Sequence, residues 1–448
     1  MEDTQDHLIG IAEQAIAHAK RFGADAADAV VVEALSVSTA IRLGQLEDVE
    51  RAEGQDIGLR VFIGDSQAIV STNDFSEANL LAFAERAVAM ARVTPPDPFS
   101  ALVMRELYDH KPVDLDLFDS TTLDPDHLER LARETEEAAL AVPGITNSEG
   151  AGAGYSVAAI ALVTSNGFAG SYRRSGFSVS CTAVAGSGTG MERDYDSSSA
   201  VYFADLRSPQ EIGALAADRA IRRLNPRKVD SCRGTIVFEP RMSRGFISHF
   251  LGAVNGASVA RGTSFLKESL GAQIFPEEVS ITDNPLKCRG ARSRPFDGEG
   301  MASRPLTLVG NGSLNSWVLD TRSARKLGLA STGHATRGIS SPPSPSVTNV
   351  TLEPGKRSRE QLIGEVERGL LVTDMLGHGV NGVTGDYSRG AAGFWIENGE
   401  ITYPVAEITV AGNLKDLFRT MKVADDMEDR GGINAPSISV EGATIAGR

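Results

Sequence analysis

The chain opens with apolar residues spaced three and four positions apart, which is the pattern of one helix face. These residues are Leu8, Ile9, Ala12, Ala15, Ile16 and Ala19. Gly23 follows the run and is typical of a helix C-terminus, so we predict a helix over residues 4–22. Stretches rich in β-branched residues come next and predict strands at 29–42, 55–63 and 67–71.

Helix N-terminal signals recur through the rest of the first half: a serine cap, an Asp-Pro pair and a Ser-Pro-Gln-Glu capping box. They predict helices from Ser76 to about Ala91, from Pro125 toward Pro143 and from Ser208 through Arg222. Residues 155–165 and 170–184 predict two strands joined by a turn at Ser165-Asn-Gly167. The first half is therefore predicted to be α+β, with a domain boundary near residues 225–231.

The second half consists mainly of short β-type runs separated by glycine. One helix is predicted at 243–260, and another from Ser358 into Leu371, where Ser358-Arg-Glu-Gln361 forms a capping box. The predicted strands are 234–239, 306–309, 316–320, 346–352, 393–397 and 401–404. Asn398-Gly399 is typical of the hairpin turn between the last two strands. The predicted fold class is α+β, with an α+β domain at 1–228 and a mainly antiparallel β domain with a few helices at 229–448.

Composition restricts the classes of function. The 448 residues are 41% hydrophobic and 23% charged, as in globular proteins, and the formal net charge is −15. This acidic balance argues against direct nucleic-acid binding, which relies on basic patches. Cys181, Cys232 and Cys288 form no metal-type pair and indicate free thiols. With no hydrophobic signal core and no apolar run approaching ~18 residues, we expect a cytoplasmic protein that does not cross a membrane.

Local motifs leave the chemistry open. The histidines are not paired at the spacing of a compact metal site. The glycine-rich run Gly377–Gly382 is not followed by a helical pattern, so it does not indicate a phosphate loop. Ser323-Ala-Arg-Lys326 matches the Ser-x-x-Lys pattern of serine acyl enzymes, but this pattern fixes only two residues.

Several longer stretches, distributed over nearly the whole chain, carry a common pattern. They include Glu47–Glu50, Gly58–Phe62, Thr94–Pro98, Asp114–Phe118, Pro295–Gly300, Ser323–Leu329, Ser331–His334, Leu371–Gly390, Gly393–Glu400 and Tyr403-Pro-Val405. Together they resemble the TldD/PmbA family of metallopeptidases, also called gyrase modulators. The resemblance is greatest to the PmbA/TldE branch.

This resemblance implies a zinc peptidase system in which two types of subunit pair. The TldD branch carries His-Glu-x-x-x-His on a helix and a further zinc ligand near the C-terminus. In such a site zinc lowers the pKa of a bound water and the Glu serves as general base. Here His249 takes the first His position, but Phe250 replaces the Glu and Val254 the second His. The motif is therefore degenerate, and no cysteine lies near residues 431–436.

The resemblance thus predicts a non-catalytic subunit that binds no metal of its own and has no assigned catalytic residue. The zinc is expected in a TldD-like partner. We expect a heterodimer with that partner, a homodimer as a further possibility, and a peptide or unfolded protein as substrate. In the glycine-rich loop, Asp386, Tyr387, Ser388 and Arg389 are the predicted substrate-facing residues. A purely structural role is the alternative for this loop. For the whole chain, the alternatives are a protein-binding modulator of the gyrase or toxin–antitoxin type without protease activity, and a self-sufficient metallopeptidase. Whether the chain is itself an enzyme stays open.

Overall fold

The computed structural model describes residues 2–109 and 111–447. Its first half is built on a six-stranded antiparallel sheet with the strand order β3-β2-β1-β4-β5-β6. The elements of this half are α1 (Glu2–Arg21), β1 (Ala26–Arg42), β2 (Gln45–Ile63), β3 (Ser66–Thr72), α2 (Glu77–Val93), α3 (Pro125–Leu140), β4 (Ile145–Thr164), β5 (Ala169–Ala185), β6 (Glu192–Ala200) and α4 (Pro209–Arg222).

All four helices cover one face of this sheet. On β1, Val31 packs with α1 and α2, whereas Val37 packs with α3 and α4. Side chains an even number of positions apart on a strand point to the same face, so the two helix pairs lie side by side along the long strands. Val30 points to the opposite face and packs with Phe296 and Met301 from the second half of the chain.

The β1–β2 hairpin extends beyond these helices. Residues 45–56 of β2 are exposed, and β3 pairs with β2 only from Ile57 to Ile63, so this part of β2 forms a free sheet edge. The edge carries the acidic residues Glu47, Asp48, Glu50, Glu53 and Asp56. The prediction of a strand over 55–63 was too short because polar residues on both faces of 45–54 leave no alternating pattern.

The second half contains a six-stranded mixed sheet, β16-β15-β14-β7-β19-β17, and a five-stranded sheet, β10-β9-β8-β13-β18. The larger sheet closes on itself because β16 also pairs with β19. The elements are β7 (Cys232–Phe238), α5 (Pro240–Ala253), α6 (Gly256–Ala260), β8 (Ile281–Asp283), β9 (Leu306–Gly310), β10 (Ser313–Leu314), α7 (Thr321–Leu327), β11 (Ala335–Thr336), β12 (Ser344–Pro345), β13 (Val350–Leu352), α8 (Arg359–Gly364), β14 (Arg368–Leu376), β15 (Asp386–Glu397), β16 (Glu400–Asn413), α9 (Leu414–Arg419), β17 (Lys422–Val423), β18 (Ile433–Asn434) and β19 (Ile438–Ala446).

The α+β fold class is confirmed, and most pairs in the second half are antiparallel, with β7–β14 and β13–β18 as parallel exceptions. The hairpin turn at Asn398-Gly399 is also confirmed, since both residues have positive φ, at 51° and 81°. No helix in the described part of the chain is long and apolar enough to cross a bilayer. The domain limits of 1–228 and 229–448 stay a prediction.

Three element predictions in this half were wrong. The helix predicted at 243–260 is two helices, because α5 ends at Ala253 and Asn255 caps α6 by accepting a hydrogen bond from the Ala257 N–H. The helix opened by Ser358 ends at Gly364, and the segment up to Leu371 belongs to β14. Residues 316–320 form no strand; Asp320 instead caps α7.

Buried polar contacts join the two halves. Asp28 on β1 receives hydrogen bonds from Arg60 on β2 and lies 2.5 Å from Arg337, and all three side chains are almost fully buried. The two arginines hold the pKa of Asp28 below its usual range against the effect of burial. Next to this ion triad, a Cβ on Gly58 would lie 1.9 Å from the carbonyl oxygen of Ile339, so the backbones of the two halves touch.

Candidate functional site

Helix α5 and its C-cap residue Val254 carry the three positions that align with the zinc motif. Pro240 occupies its first turn, where a missing N–H costs nothing, and the apolar side chains recur at helical spacing. Phe246, Ile247, Phe250 and Leu251 are buried and fix the helix against the core of the second half. This packing determines which side chains of α5 face the interior.

His249 is partly buried beside β15. Its ring centroid lies 5.6 Å from that of Tyr387 in an edge-to-face arrangement. Burial lowers the pKa of His249 to about 4, and the positive charges of Arg389 and His378 add to this effect. The imidazole is therefore neutral near pH 7, and its Nε2 is buried without a hydrogen-bond partner among the described residues.

Phe250 and Val254 are core residues, each with 0% of its surface exposed. The Phe250 ring packs edge-to-face with those of Phe275 and Phe418, at centroid distances of 5.4 and 6.2 Å. Val254 forms the C-cap of α5, and its N–H donates to the Phe250 carbonyl oxygen. Neither position offers a ligand or a general base.

The donor set does not fit a catalytic zinc. The free Nε2 of His249 could supply one ligand, but such a site normally takes three from the protein. Within 2–109 and 111–447, no three His, Cys, Asp or Glu side chains are grouped so that they could hold a metal ion. We therefore derive no chemical step through zinc bound to this chain.

The residues predicted to face the substrate lie on a strand, so their placement in a loop was wrong. Asp386, Tyr387, Ser388 and Arg389 begin β15 and pair with 410–413 of β16. The glycine-rich segment packs along them: the Ser388 N–H donates to the Gly379 carbonyl oxygen at 2.7 Å. A Cβ on Gly379 would lie 1.6 Å from the Ser388 carbonyl oxygen, so only glycine permits this approach.

The strand divides these four residues between two faces. Tyr387, 3% exposed, and the partly buried Arg389 point toward His249, and burial raises the pKa of the Tyr387 hydroxyl. Asp386 and Ser388 are exposed on the other face. Hydrogen bonds from Thr384 and Asn413 lower the pKa of Asp386. The structure thus brings His249, Tyr387 and Arg389 together, whereas any role of the four in substrate binding stays a prediction.

Ser323 caps the N-terminus of α7 together with Asp320. Its backbone N–H donates to the Asp320 carboxylate at 2.8 Å, and its hydroxyl completes the capping box of α7. Lys326 is exposed on the same helix, and no hydrogen bond joins it to Ser323 in the described structure. The arrangement offers no support for a serine acyl enzyme.

A charged network at the start of α5 was not predicted from the sequence. Asp194 and Asp196 on β6 are buried, and each is bound by several arginines. Asp194 pairs with Arg223 and Arg241, and Asp196 pairs with Arg207, Arg219 and Arg430. Arg241 lies on α5, so the network fixes this helix to the first-half sheet. The alternating Asp194, Asp196 and Ser198 were the only available signal, and they resemble a solvated polar loop.

Three consecutive family models match the sequence. They are the PmbA/TldA metallopeptidase domain 1 at residues 27–91, the central domain at 118–224 and the C-terminal domain at 231–447. The protein named metalloprotease PmbA from Escherichia coli O157:H7 is 37% identical over 98% of this chain and 96% of its own length. A metalloprotease PmbA homolog from Haemophilus influenzae is 38% identical over 97% of this chain and 94% of its own length.

Solved structures share the whole fold. A Bacteroides thetaiotaomicron protein, described as a candidate modulator of DNA gyrase, superposes with a TM-score of 0.89 at 28% identity, covering 98% of both chains. TldE from Thermococcus kodakarensis gives a TM-score of 0.86 at 22% identity, covering 98% of this chain and 100% of its own. The second likeness concerns the fold alone.

Proposed function

Because the chain belongs to the PmbA/TldE branch of the PmbA/TldD metallopeptidase family, we propose that it is the non-catalytic subunit of a two-chain zinc peptidase. The zinc and the general base reside in a TldD-like partner, and the substrates are peptides or unstructured proteins. The assembly is a cytoplasmic heterodimer. In the absence of the partner, two copies of this chain form a homodimer.

One observation carries this proposal. Of the three motif positions on α5, only His249 has a side chain that can bind a metal or transfer a proton. Phe250 and Val254 are fully buried in the apolar core, so they belong to the packing of the helix. This chain keeps one potential ligand in place of three and lacks the Glu base. These losses support a role in shaping the substrate path and not in cleavage.

The residues next to α5 suit peptide binding. The neutral imidazole of His249 has an unpaired Nε2 beside the aromatic ring of Tyr387, and the guanidinium of Arg389, whose Nε donates to the Gly377 carbonyl oxygen at 2.9 Å, keeps further N–H groups. A peptide backbone presents carbonyl and N–H groups that both kinds of side chain can pair with. We assign this group to substrate positioning, with Asp386 and Ser388 exposed on the other face of the same strand.

The test is zinc content and peptidase activity of each chain alone and of the mixture. We expect far less than one zinc per chain in this protein purified without chelator, and cleavage of an unstructured peptide only when a TldD-like chain is added. A TldD-like chain whose motif Glu is changed to Gln serves as the control and should leave the mixture inactive. Close to one zinc per chain, with cleavage by this protein alone, would establish a self-sufficient peptidase. An inert, metal-free mixture would also overturn the proposal.

A second candidate is a protein-binding modulator without protease activity, because the Bacteroides relative is described as a candidate gyrase modulator. The net charge of −15 directs this candidate to a protein partner and away from DNA. Affinity capture that recovers a stable client but no TldD-like chain would favour it over the peptidase subunit.

A further inference from the structure

A polar pocket of about 260 Å³ lies beside the first half of α5. It is bounded by β6, by the start of α5 and by the segment 428–430, so it lies where the two halves of the chain meet. Its lining includes Ser197, Ser199, Arg207, Arg241, Arg244 and Arg430. Ser197 and Ser199 are exposed on alternate positions of β6, so both hydroxyls are on the same face of the strand.

The carboxylates that line this pocket are all engaged by cations. Asp196 is bound by Arg207, Arg219 and Arg430. The other three carboxylates, with their partners, are Asp205 with Arg289 at 3.4 Å, Glu428 with Arg430 at 2.7 Å and Asp429 with Lys287. Three of the four lining arginines, Arg207, Arg241 and Arg430, are likewise paired. The internal charges of the pocket are therefore mutually neutralised, apart from the remaining arginine.

That arginine is Arg244. It is partly buried, and it has neither an ion pair nor a side-chain hydrogen bond with any residue that the structure describes. Burial lowers its pKa, and the positive charges of Arg430 and Arg241 lower it further, whereas Tyr195 and Glu428 act in the opposite direction. A guanidinium that is partly desolvated next to like charges is in an unfavourable state, and a bound anion would relieve it.

We propose that this pocket binds a carboxylate of the substrate peptide, with Arg244 as its main cation and Ser197 and Ser199 as hydroxyl donors. The planar guanidinium fork matches the two oxygens of a carboxylate. The carboxylate comes from the peptide C-terminus or from an Asp or Glu side chain. This inference rests on the proposed function, because it assumes that the ligand is a peptide.

The position of Arg244 relates the pocket to the site on α5. Arg244 and His249 lie five residues apart on the same helix. At 1.5 Å per residue this corresponds to about 7.5 Å along the helix axis. Five residues also turn through about 500°, so the two side chains leave the helix about 140° apart around its axis. A carboxylate held by Arg244 would therefore lie on a different side of α5 from His249 and Tyr387, and a peptide that reached both would have to pass around the helix.

The experiment uses three peptides with an acetylated N-terminus: Gly-Ser-Gly-Ala-Leu with a free carboxylate, the same peptide as its C-terminal amide, and the amide of Gly-Ser-Glu-Ala-Leu. Binding is measured by calorimetry to the full chain and to its mixture with a TldD-like partner, and KM is measured for cleavage in the mixture. We expect at least tenfold weaker binding of the uncharged amide. Arg244→Gln should weaken binding of the carboxylate peptide by the same factor and leave the uncharged amide unaffected.

Arg261→Gln is the matched control, because Arg261 is exposed, forms no ion pair in the described structure and loses the same charge. It should bind all three peptides like the wild type. Tight binding of the Glu-containing amide would assign the pocket to an acidic side chain, and its weak binding would assign it to the C-terminus. Equal affinity and equal KM for all three peptides, or an unchanged Arg244→Gln variant, would overturn this inference alone. If no peptide is bound and the mixture is inert, the proposed function falls as well.

Discussion

Replacement of Phe250 by Glu restores the general base of the motif. It should destabilise the fold around α5 and should not create a catalytic site. The Phe250 side chain is fully buried between the rings of Phe275 and Phe418. Truncation of such a side chain costs about 3–5 kcal/mol of unfolding free energy. An unpaired carboxyl group in the same place adds about 1–3 kcal/mol or more. The sum is comparable with the ~5–15 kcal/mol that stabilises a typical domain.

Urea unfolding followed by circular dichroism measures this effect, with Phe250→Leu as the control. Leu keeps most of the apolar volume, so we expect a loss of about 1–2 kcal/mol for the control. A buried Glu has a raised pKa, so the Phe250→Glu variant should recover part of its stability as the pH is lowered and the carboxyl becomes neutral. This recovery would distinguish a buried charge from a simple cavity.

The double variant Phe250→Glu/Val254→His tests the same reasoning for function. If it folds with stability near that of the wild type and binds one zinc per chain, both positions can accommodate a metal site. The interpretation of Phe250 and Val254 as packing residues would then be refuted. We expect instead that this variant is largely unfolded, or recovered in aggregates, at pH 7.

Three further predictions concern other parts of the molecule. His249 has a folded-state pKa of about 4, against about 6.5 when unfolded, so the unfolded chain takes up the proton first and stability falls as pH drops through this window. In His249→Phe this loss between pH 6.5 and 4.5 should be about 1–2 kcal/mol smaller by urea unfolding, and an identical pH profile would contradict the assignment. Asp28→Asn leaves two buried arginines unpaired and should cost about 3–5 kcal/mol; a loss below 1 kcal/mol in thermal unfolding would be inconsistent with it. In Gly393→Ala, the new Cβ would lie 1.9 Å from a backbone oxygen, so a loss of about 2–3 kcal/mol is expected. Gly252→Ala, with open space around it, should be neutral or stabilising by about 0.4–1 kcal/mol, and equal effects of the two would argue against the close contact.

Elements with one apolar face were predictable from the sequence. α1 and α3 present that pattern, since each packs one side against a core and leaves the other in water. β6 was not predicted, because its inward residues Asp194 and Asp196 are charged and meet arginines distant in the chain. No local pattern can report a charge that is neutralised by a residue 234 positions away, as in the Arg430–Asp196 pair.

Only the identities of the residues in the candidate site were predictable from the sequence, and their placement in the fold was not. The loss of ligands at Phe250 and Val254 was visible in the sequence, and their burial gives the loss a physical meaning. The strand position of Asp386–Arg389 was hidden by the glycines before it, which suggested a loop. Gly379 is required because its backbone packs directly on Ser388 of the strand, whereas Gly377 takes a positive φ of 76°. The pocket around the partly buried Arg244 depends on the meeting of three distant segments and has no sequence signal.

The free edge of β2 has a consequence for how copies of the protein meet. An unpaired strand presents N–H and C=O groups that can recruit the edge of another sheet. Here the edge carries Glu47, Asp48, Glu50, Glu53 and Asp56, so two such edges repel one another before their backbones can pair. This electrostatic guard acts over the Debye length, about 10 Å at 0.1 M salt and about 3 Å at 1 M. Concentrated salt should therefore remove the guard and promote edge-to-edge association through the β1–β2 hairpin.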